Sequence, residues 1–390
     1  MTTTQSTLFQ STVTALTYQG YGVIQHPSGK VFFVKGGWPG DVAEFSVANE
    51  QLENKQVSFA NLLSLISPSK QRVAAVCAHQ GFAAGQCQGC AWMIADYSAQ
   101  LEFKQKRVHE ALQNAHIHFQ PEVVQPIWGS ETTLEYRNRV QFKTDGRNIG
   151  TISPNEKTLV PIEKCIVLTP PLQKILKQLR KTLPNPKWLT PNVTPLLSLE
   201  FDDEMIAADI IPNQRRPFKQ GHISQNPKMK AWLKSKVQNL NLSSPVLELF
   251  CGSGNFTEVL VSAGFQDIAA IESDATAIFS LKQKGYKGVQ ALAANLYDSK
   301  SFPTLQLKFG RREILVLDPP REGLQNQQSK LLQTFPKINH IFYISCDPES
   351  WARDLALLQK EGGYQLVEVQ PIDLFPQTPH VEILSVLAKI

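Results

Sequence analysis

The chain has 390 residues, 42% hydrophobic and 19% charged, which is the balance of a folded protein rather than a disordered one. No apolar run approaches the ~20 residues of a membrane helix, and the first ten residues lack the basic flank and apolar core of a secretion signal, so a cytoplasmic protein is expected. The net charge is only +5, but residues 151–245 hold 14 Lys and Arg against 7 Asp and Glu, a basic middle that suits contact with a polyanion.

Residues 9–60 read as short strands, STVTALTYQ, YGVIQH, KVFFVKG and DVAEFSV, with turn signals at Gly20, His26–Gly29 and Trp38–Asp41. Such spacing suits a small closed barrel of the OB type over residues 1–65. A central α+β region, 66–215, follows. It holds a helix-like stretch over 98–115, with Leu101, Val108 and Leu112 near helical spacing, placed to pack on a neighbouring domain. Strands around YRNRVQFKT and IGTISP are joined through the Asp145-Gly146 turn, and the Pro-rich piece 181–195 reads as a loop.

From residue 216 the pattern alternates. A helix over 226–236 precedes strand PVLELF, helix 256–265, strand DIAAIES, helix 275–285, strand GVQAL and strand EILVLD. Helix 325–335, strand HIFYIS, helix 348–360 and two final strands, YQLVEVQPI and EILSVLAK, complete the chain. This is a doubly wound α/β sheet ending in a strand pair with no helix between.

The strand PVLELF runs into Cys251-Gly-Ser-Gly-Asn-Phe256, a glycine-rich turn that lets backbone approach a nucleotide. Glu272 ends the next strand, where a carboxylate suits two ribose hydroxyls. Asn295 follows the third strand and Asp318 ends the fourth. Thr257 stands where a dinucleotide fingerprint has its third glycine, which favours S-adenosylmethionine as cofactor. Cys251 reads as a packing residue.

The reaction is set by two further segments. Strand HIFYIS delivers Cys346 to the carboxyl edge of the sheet just before a helix N-terminus, a position that favours a thiolate. Glu382, at the start of the last strand, is a carboxylate at the same edge. A thiolate adding to carbon 6 of uracil activates the poorly nucleophilic carbon 5 towards a methyl donor, and a base then removes the carbon-5 proton. One Cys and one Glu suffice.

Five pieces carry a resemblance: FKQGHISQN (218–226), LELFCGSGNF (247–256), VLDPPREGL (316–324), ISCDPESWARD (344–354) and FPQTPHVEI (375–383). They are similar to the RNA uracil-5-methyltransferase family, the RlmC, RlmD and TrmA group. The resemblance implies a class I, Rossmann-like S-adenosylmethionine domain over 216–390, Cys346 as nucleophile and Glu382 as base. It places Gln220, Phe250, Asn255, Glu272, Asn295 and Asp318 in the cofactor pocket or its border with the base. Asp347 departs from the family, where Asn is commoner, and its charge disfavours a neighbouring thiolate. Cytosine methylation is the rival chemistry, but such enzymes place a cysteine within the segment matching 318–323, where this chain has none.

Cys77, Cys87, Cys90 and Cys165 are four soft ligands, suited to a [4Fe–4S] cluster or zinc, with His79 as an alternative donor. The RlmC and RlmD branches carry a similar cysteine set binding [4Fe–4S], although nine residues separate Cys77 from Cys87 here against the family's usual five. The same branches begin with a TRAM barrel, which the resemblance implies for residues 1–65. Members with barrel and cluster mostly act on ribosomal RNA, so ribosomal RNA is the expected partner, with transfer RNA or a non-catalytic RNA-binding role as alternatives; a monomer is expected. Tyr136, Arg137, Arg139, Arg215, Arg216 and Lys219 are candidate phosphate contacts.

Overall fold

The computed structural model describes residues 6–48, 58–153, 158–189, 196–217 and 219–389; Phe218 and 190–195 of the Pro-rich piece lie outside them. Strands β1 (Ser6–Thr12), β2 (Ala15–Leu16), β3 (Gly22–Gln25), β4 (Val31–Val34), β5 (Val42–Ala48) and β6 (Ser58–Ser67) form one sheet in the order β1-β5-β6-β4-β3-β2. Alternate residues turn inward along β5, so that Ala43, Phe45 and Val47 meet Phe9, Ile24, Phe32 and Ala60 in a single core. The strand expected over 11–19 is broken between β1 and β2. There Val13 leaves the ladder and exchanges backbone bonds with Gly40 and Asp41.

Strands β7 (Arg139–Thr144), β8 (Ile149–Ile152), β9 (Leu159–Pro161) and β10 (Leu197–Asp202) form an antiparallel sheet in the order β10-β7-β8-β9. The Asp145 carboxylate accepts the N–H groups of Arg147 and Asn148, and Gly146 supplies the positive φ of +81° that the turn into β8 needs. Helix Pro170–Lys181 lays Leu172, Ile175, Leu176 and Leu179 on this sheet.

The third sheet contains β11 (Val246–Leu249), β12 (Ile268–Glu272), β13 (Val289–Ala293), β14 (Ile314–Leu317), β15 (His340–Ser345), β16 (Tyr364–Ile372) and β17 (Glu382–Lys389). Their order is β13-β12-β11-β14-β15-β17-β16, with β17 antiparallel to both neighbours. Every residue of β11 and β14 is buried, as a sheet covered on both faces requires. Leu247, Leu249, Leu315 and Leu317 belong to one core, and Val246, Ile314 and Val316 to the other. Helix Ser301–Phe309, crossing from β13 to β14, escapes the sequence reading because Pro303 interrupts it. A proline in the first turn displaces no intrahelical bond, and a parallel crossover needs the helix.

Helix Tyr97–Asn114 packs Val108, Ala111 and Leu112 into the core of the third sheet, as expected of a stretch facing a neighbour. Residues beyond it cover the outer edge of β16: Gln125 and Trp128 donate their N–H groups to Val369 and Pro371. The same helix buries Lys104, whose ammonium lies 2.6 Å from Asp373 Oδ1 and 3.1 Å from the Phe375 carbonyl. Both side chains are fully buried. Burial pulls Lys104 below its ordinary value, and Asp373 pulls it back up. Lys104→Met should cost ~3–5 kcal/mol in equilibrium denaturation, because it strands a buried Asp373 charge; an unchanged midpoint would show the pair to be dispensable.

Candidate active site

The carboxyl ends of the parallel strands open onto one cleft of about 860 Å³. At the end of β11 the chain turns sharply. Phe250 adopts a φ of +61°, rare for a residue with a side chain, and places its ring 5.7 Å from that of Tyr297. Gly254, at φ +92°, has no room for a Cβ, which would meet Leu281 at 2.5 Å. Glu272 fastens this loop by accepting N–H bonds from Gly252 at 3.2 Å, Ser273 at 2.6 Å and Asp274 at 3.0 Å. Asn255 and Asn226 exchange two amide bonds of 3.0 Å, which ties the loop to helix Gln225–Val237. Asn295 holds the next turn by accepting from the Tyr297 N–H.

Antiparallel register supplies the rest. Ser345 of β15 pairs with Ile383 of β17, so the next residues outward, Cys346 and Glu382, fall side by side. Gln220, Phe250, Asn255, Glu272, Asn295, Asp318, Cys346 and Glu382 all line the single cleft. The eight residues selected from sequence are thus brought together from seven separate segments.

The family model described as tRNA (Uracil-5-)-methyltransferase matches residues 204–390. Over 382 residues the chain is 39% identical to an uncharacterized RNA methyltransferase of Nitrosomonas europaea, covering 98% of this chain and 97% of that one. The chain belongs to the RNA (uracil-5-)-methyltransferase family. A 23S rRNA (uracil(1939)-C(5))-methyltransferase, RlmD, of Bordetella parapertussis is 25% identical, with 94% of this chain and 90% of that one aligned. The fold is shared with the Pyrococcus abyssi tRNA (uracil-54, C5)-methyltransferase solved with S-adenosyl-L-homocysteine. The TM-score is 0.69 at 19% identity, covering 97% of this chain and all of that one.

In this family member the carboxylates nearest Cys346 are buried, and the titrations follow from that. Burial, and then Glu272, push Asp318 up to about 7. Burial and Asp318 hold Glu382 well above the carboxylate range, with Arg321 opposing. Cys346 is pushed up to about 12 by burial, then by Glu382 and Asp318, again against Arg321 and with a smaller push from Asp347. The thiolate expected from the helix N-terminus is therefore not the resting form. Asp347 is itself the N-cap, its Oδ1 taking the Ser350 N–H at 2.9 Å, so the helix end is already satisfied by a carboxylate.

Arg321 and His380 are among the cleft residues that escaped the sequence reading. Arg321 directs Nη2 to His380 Nε2 at 3.4 Å, and burial followed by neighbouring cations holds His380 down at about 4, hence neutral. Both stand inside the motif segments already singled out, but neither sits at a strand end. Cys251 packs among Ala270, Ile278 and Leu281, as expected.

The candidate phosphate contacts divide. Tyr136 is buried, stacks on His222 at 4.6 Å and donates to the Pro376 carbonyl, so it is a structural residue. Arg139 is spent on Glu200 and on the carbonyls of Arg216 and Pro217, and Arg137 on the Arg139 carbonyl. Arg215 is exposed, while Arg216 and Lys219 line the cleft mouth, Lys219 bonded to Asp203 and Glu204.

Cys77, Cys87, Cys90 and Cys165 lie away from the cleft. Burial, then the other three cysteines, push Cys90 up to about 12; burial also raises Cys165, to about 11. His79 Nε2 accepts the Glu163 N–H at 3.1 Å, which occupies the alternative donor. Among the described residues no group of three or more His, Cys, Asp or Glu side chains is arranged to hold a metal ion. The four thiols therefore present no ready-made site for a single metal ion among the described residues.

Asp318 gives the cleft a testable pH signature. Its carboxyl is raised in the fold, so the stability tied to its neutral form is complete below the ordinary aspartate value and is lost as pH rises through about 7. Asp318→Asn should therefore raise the unfolding temperature by about 2–4 °C at pH 8 and by less at pH 5. A gain independent of pH would count against a neutral Asp318.

Proposed function

We propose that this methyltransferase places a methyl group on carbon 5 of a uridine in RNA, with Cys346 as nucleophile and Glu382 as base. The observation that carries the reading is the register of β15 on β17, which sets a thiol beside a carboxylate in a cleft of nucleotide size. The glycine cradle at 252–254, Glu272 and Asn295 fit S-adenosylmethionine. When bound, that cofactor supplies an electrophilic methyl group and a positive sulfonium charge.

The chain's own residues then divide the work. Cys346 releases its proton to solvent and its Sγ bonds to carbon 6, moving the carbon 5–carbon 6 electron pair to make carbon 5 nucleophilic. After carbon 5 has gained the methyl group, Glu382 takes the proton from carbon 5. The electrons left behind restore the double bond and expel the thiolate. A carboxylate with a raised pKa is a stronger base than usual, and the neutral acid it becomes is the form this cleft favours. Asp318, its carboxyl raised to about 7 by burial, suits a hydrogen bond to the uracil edge. Gln220 also lines this cleft. The target base must leave its stack to reach this floor, so the substrate is an unpaired or flipped uridine.

The RNA is read as ribosomal, on the name of the Bordetella relative, with transfer RNA second on the names of the family model and the Pyrococcus structure. In the same reading residues 1–65 act as a TRAM or OB-like RNA-holding barrel, supported by strands that share one core. Residues 66–215 form the central region and 216–390 the catalytic domain. A [4Fe–4S] cluster on Cys77, Cys87, Cys90 and Cys165 belongs to the proposal on the strength of four mutually influencing thiols from two segments. No step of the reaction passes through it. No helix among the described residues is long and apolar enough to cross a membrane.

Cys346→Ala should lower methyl transfer by at least about a thousandfold while RNA binding persists. Glu382→Gln should accumulate a covalent protein–RNA adduct visible by denaturing electrophoresis. Activity in the first variant, or normal turnover in the second, would remove the respective residue from its role. Mapping 5-methyluridine in ribosomal and transfer RNA from a strain lacking the protein identifies the substrate.

Prepared without oxygen, the protein should be brown with about four irons per chain. A colourless protein holding one zinc, or no metal, would refute the cluster.

A further inference from the structure

The departure at Asp347 has a partner that the sequence did not disclose. Arg107, on helix Tyr97–Asn114, reaches the nucleophile's turn and the base's loop at once. Its Nε donates to Glu349 Oε1 at 2.9 Å, and its Nη2 reaches Asp347 Oδ2 at 3.4 Å and also bonds Glu349. Its Nη1 donates to the carbonyl of Pro379 at 3.3 Å. Asp347 follows Cys346 directly, and Pro379 lies three residues before Glu382. The guanidinium carbon sits 5.9 Å from the centre of the Tyr18 ring, and the side chain is only 12% exposed.

We propose that Arg107 is a positioning residue that ties the Cys346 turn to the Glu382 loop and neutralises Asp347 beside the reacting thiol. This rests on the reading of Cys346 and Glu382 as nucleophile and base. Two physical effects combine. A planar fork with several donors fixes two segments relative to each other better than a point charge does. A cation against Asp347 also offsets one of the carboxylates facing Cys346. The titratable and charged groups facing that thiol are Glu382, Asp318, Asp347 and Arg321, so losing the offset makes an already unfavourable ionisation worse. The other groups facing Arg107 are Lys104, a like charge on its own helix, and the neutral His380. A chain with Asn after the cysteine has no such charge to offset. Asp347 and Arg107 therefore form a matched pair.

The test compares full-length wild type, Arg107→Met, Arg107→Lys, Asp347→Asn and the Arg107→Met/Asp347→Asn pair. One readout is the rate of iodoacetamide alkylation at Cys346, followed on its peptide at pH 8; the other is kcat and KM for RNA methylation. Arg107→Met should slow alkylation about threefold and lower kcat about tenfold, with KM changed by less than about twofold. Adding Asp347→Asn should restore the alkylation rate but not kcat, because the charge is balanced and the tie is still missing. Arg107→Lys should keep the alkylation rate and lose part of kcat. Asp347→Asn alone should quicken alkylation about threefold, an arm that stands even where Arg107→Met fails to fold.

Alkylation unchanged in Arg107→Met, a slowing that persists in the paired variant, or no quickening in Asp347→Asn overturns the proposal. Alkylation reports the thiol whether or not Cys346 is the nucleophile. Methylation surviving in Cys346→Ala would thus sink the underlying reading, separately from these rates.

Discussion

A lysine ammonium inside a protein is costly, and Lys104 is tolerated only because Asp373, the Phe375 carbonyl and the face of Trp92 surround it. That arrangement governs the loop from 373 to 381, which has no helix or strand of its own and ends at Glu382. Tyr97 donates to the second oxygen of Asp373, Gln100 exchanges two bonds with Gln377, and Trp92 donates its N–H to the Gln377 carbonyl. Gln377 sits at φ +71°, a conformation that survives because its neighbours over-determine it. Without the buried pair, the loop leading to Glu382 would lose its anchors at Asp373 and Phe375 and rest on those at Pro376, Gln377 and Pro379.

The cleft poses an electrostatic problem that its chemistry resolves. Asp318, Glu272, Glu382 and the Cys346 thiol share a small volume, and burial with mutual repulsion keeps Asp318, Glu382 and Cys346 protonated longer than usual. Such a site resists an anion unless a cation stands beside it, and on the proposed reading a positively charged methyl donor would favour ionisation of Cys346. On the same reading Glu382 would take the carbon-5 proton as a carboxylate whose raised pKa makes it a stronger base than usual. Arg321, held by a neutral His380, is the standing counterweight that keeps the balance within reach.

The site was legible because its residues occupy ends of strands, and strand ends are marked by hydrophobic runs breaking into polar residues. Glu272, Asn295, Asp318, Cys346 and Glu382 each follow or begin such a run, so topology alone gathers them at one edge. What stayed hidden depended on partners far along the chain. Lys104 and Asp373 are 269 positions apart, and Tyr136 or Arg139 looks like an RNA contact until its neighbours at Pro376, Glu200 and Pro217 are seen. The thiolate expectation failed for a related reason. A helix N-terminus is visible in sequence, but the carboxylates converging on it from β14 and β17 are not. The four cysteines show the opposite limit: their number and types read clearly, while the arrangement that a metal requires is a matter of ångströms.

The segments ahead of the catalytic sheet build the active site rather than merely precede it. Gly20, in the turn between β2 and β3, lies against both Trp92 and Pro379, where even a Cβ would collide at 2.7 Å and 2.9 Å. Trp92 returns its indole N–H to the Gly20 carbonyl, and Tyr18 covers Arg107. The N-terminal sheet, the cysteine-bearing segment and helix Tyr97–Asn114 therefore converge on the few residues between Phe375 and Glu382. On the proposed reading, RNA held by any of them would press on the loop that leads to Glu382. The packing at Gly20, Trp92 and Arg107 supplies that route without a large movement.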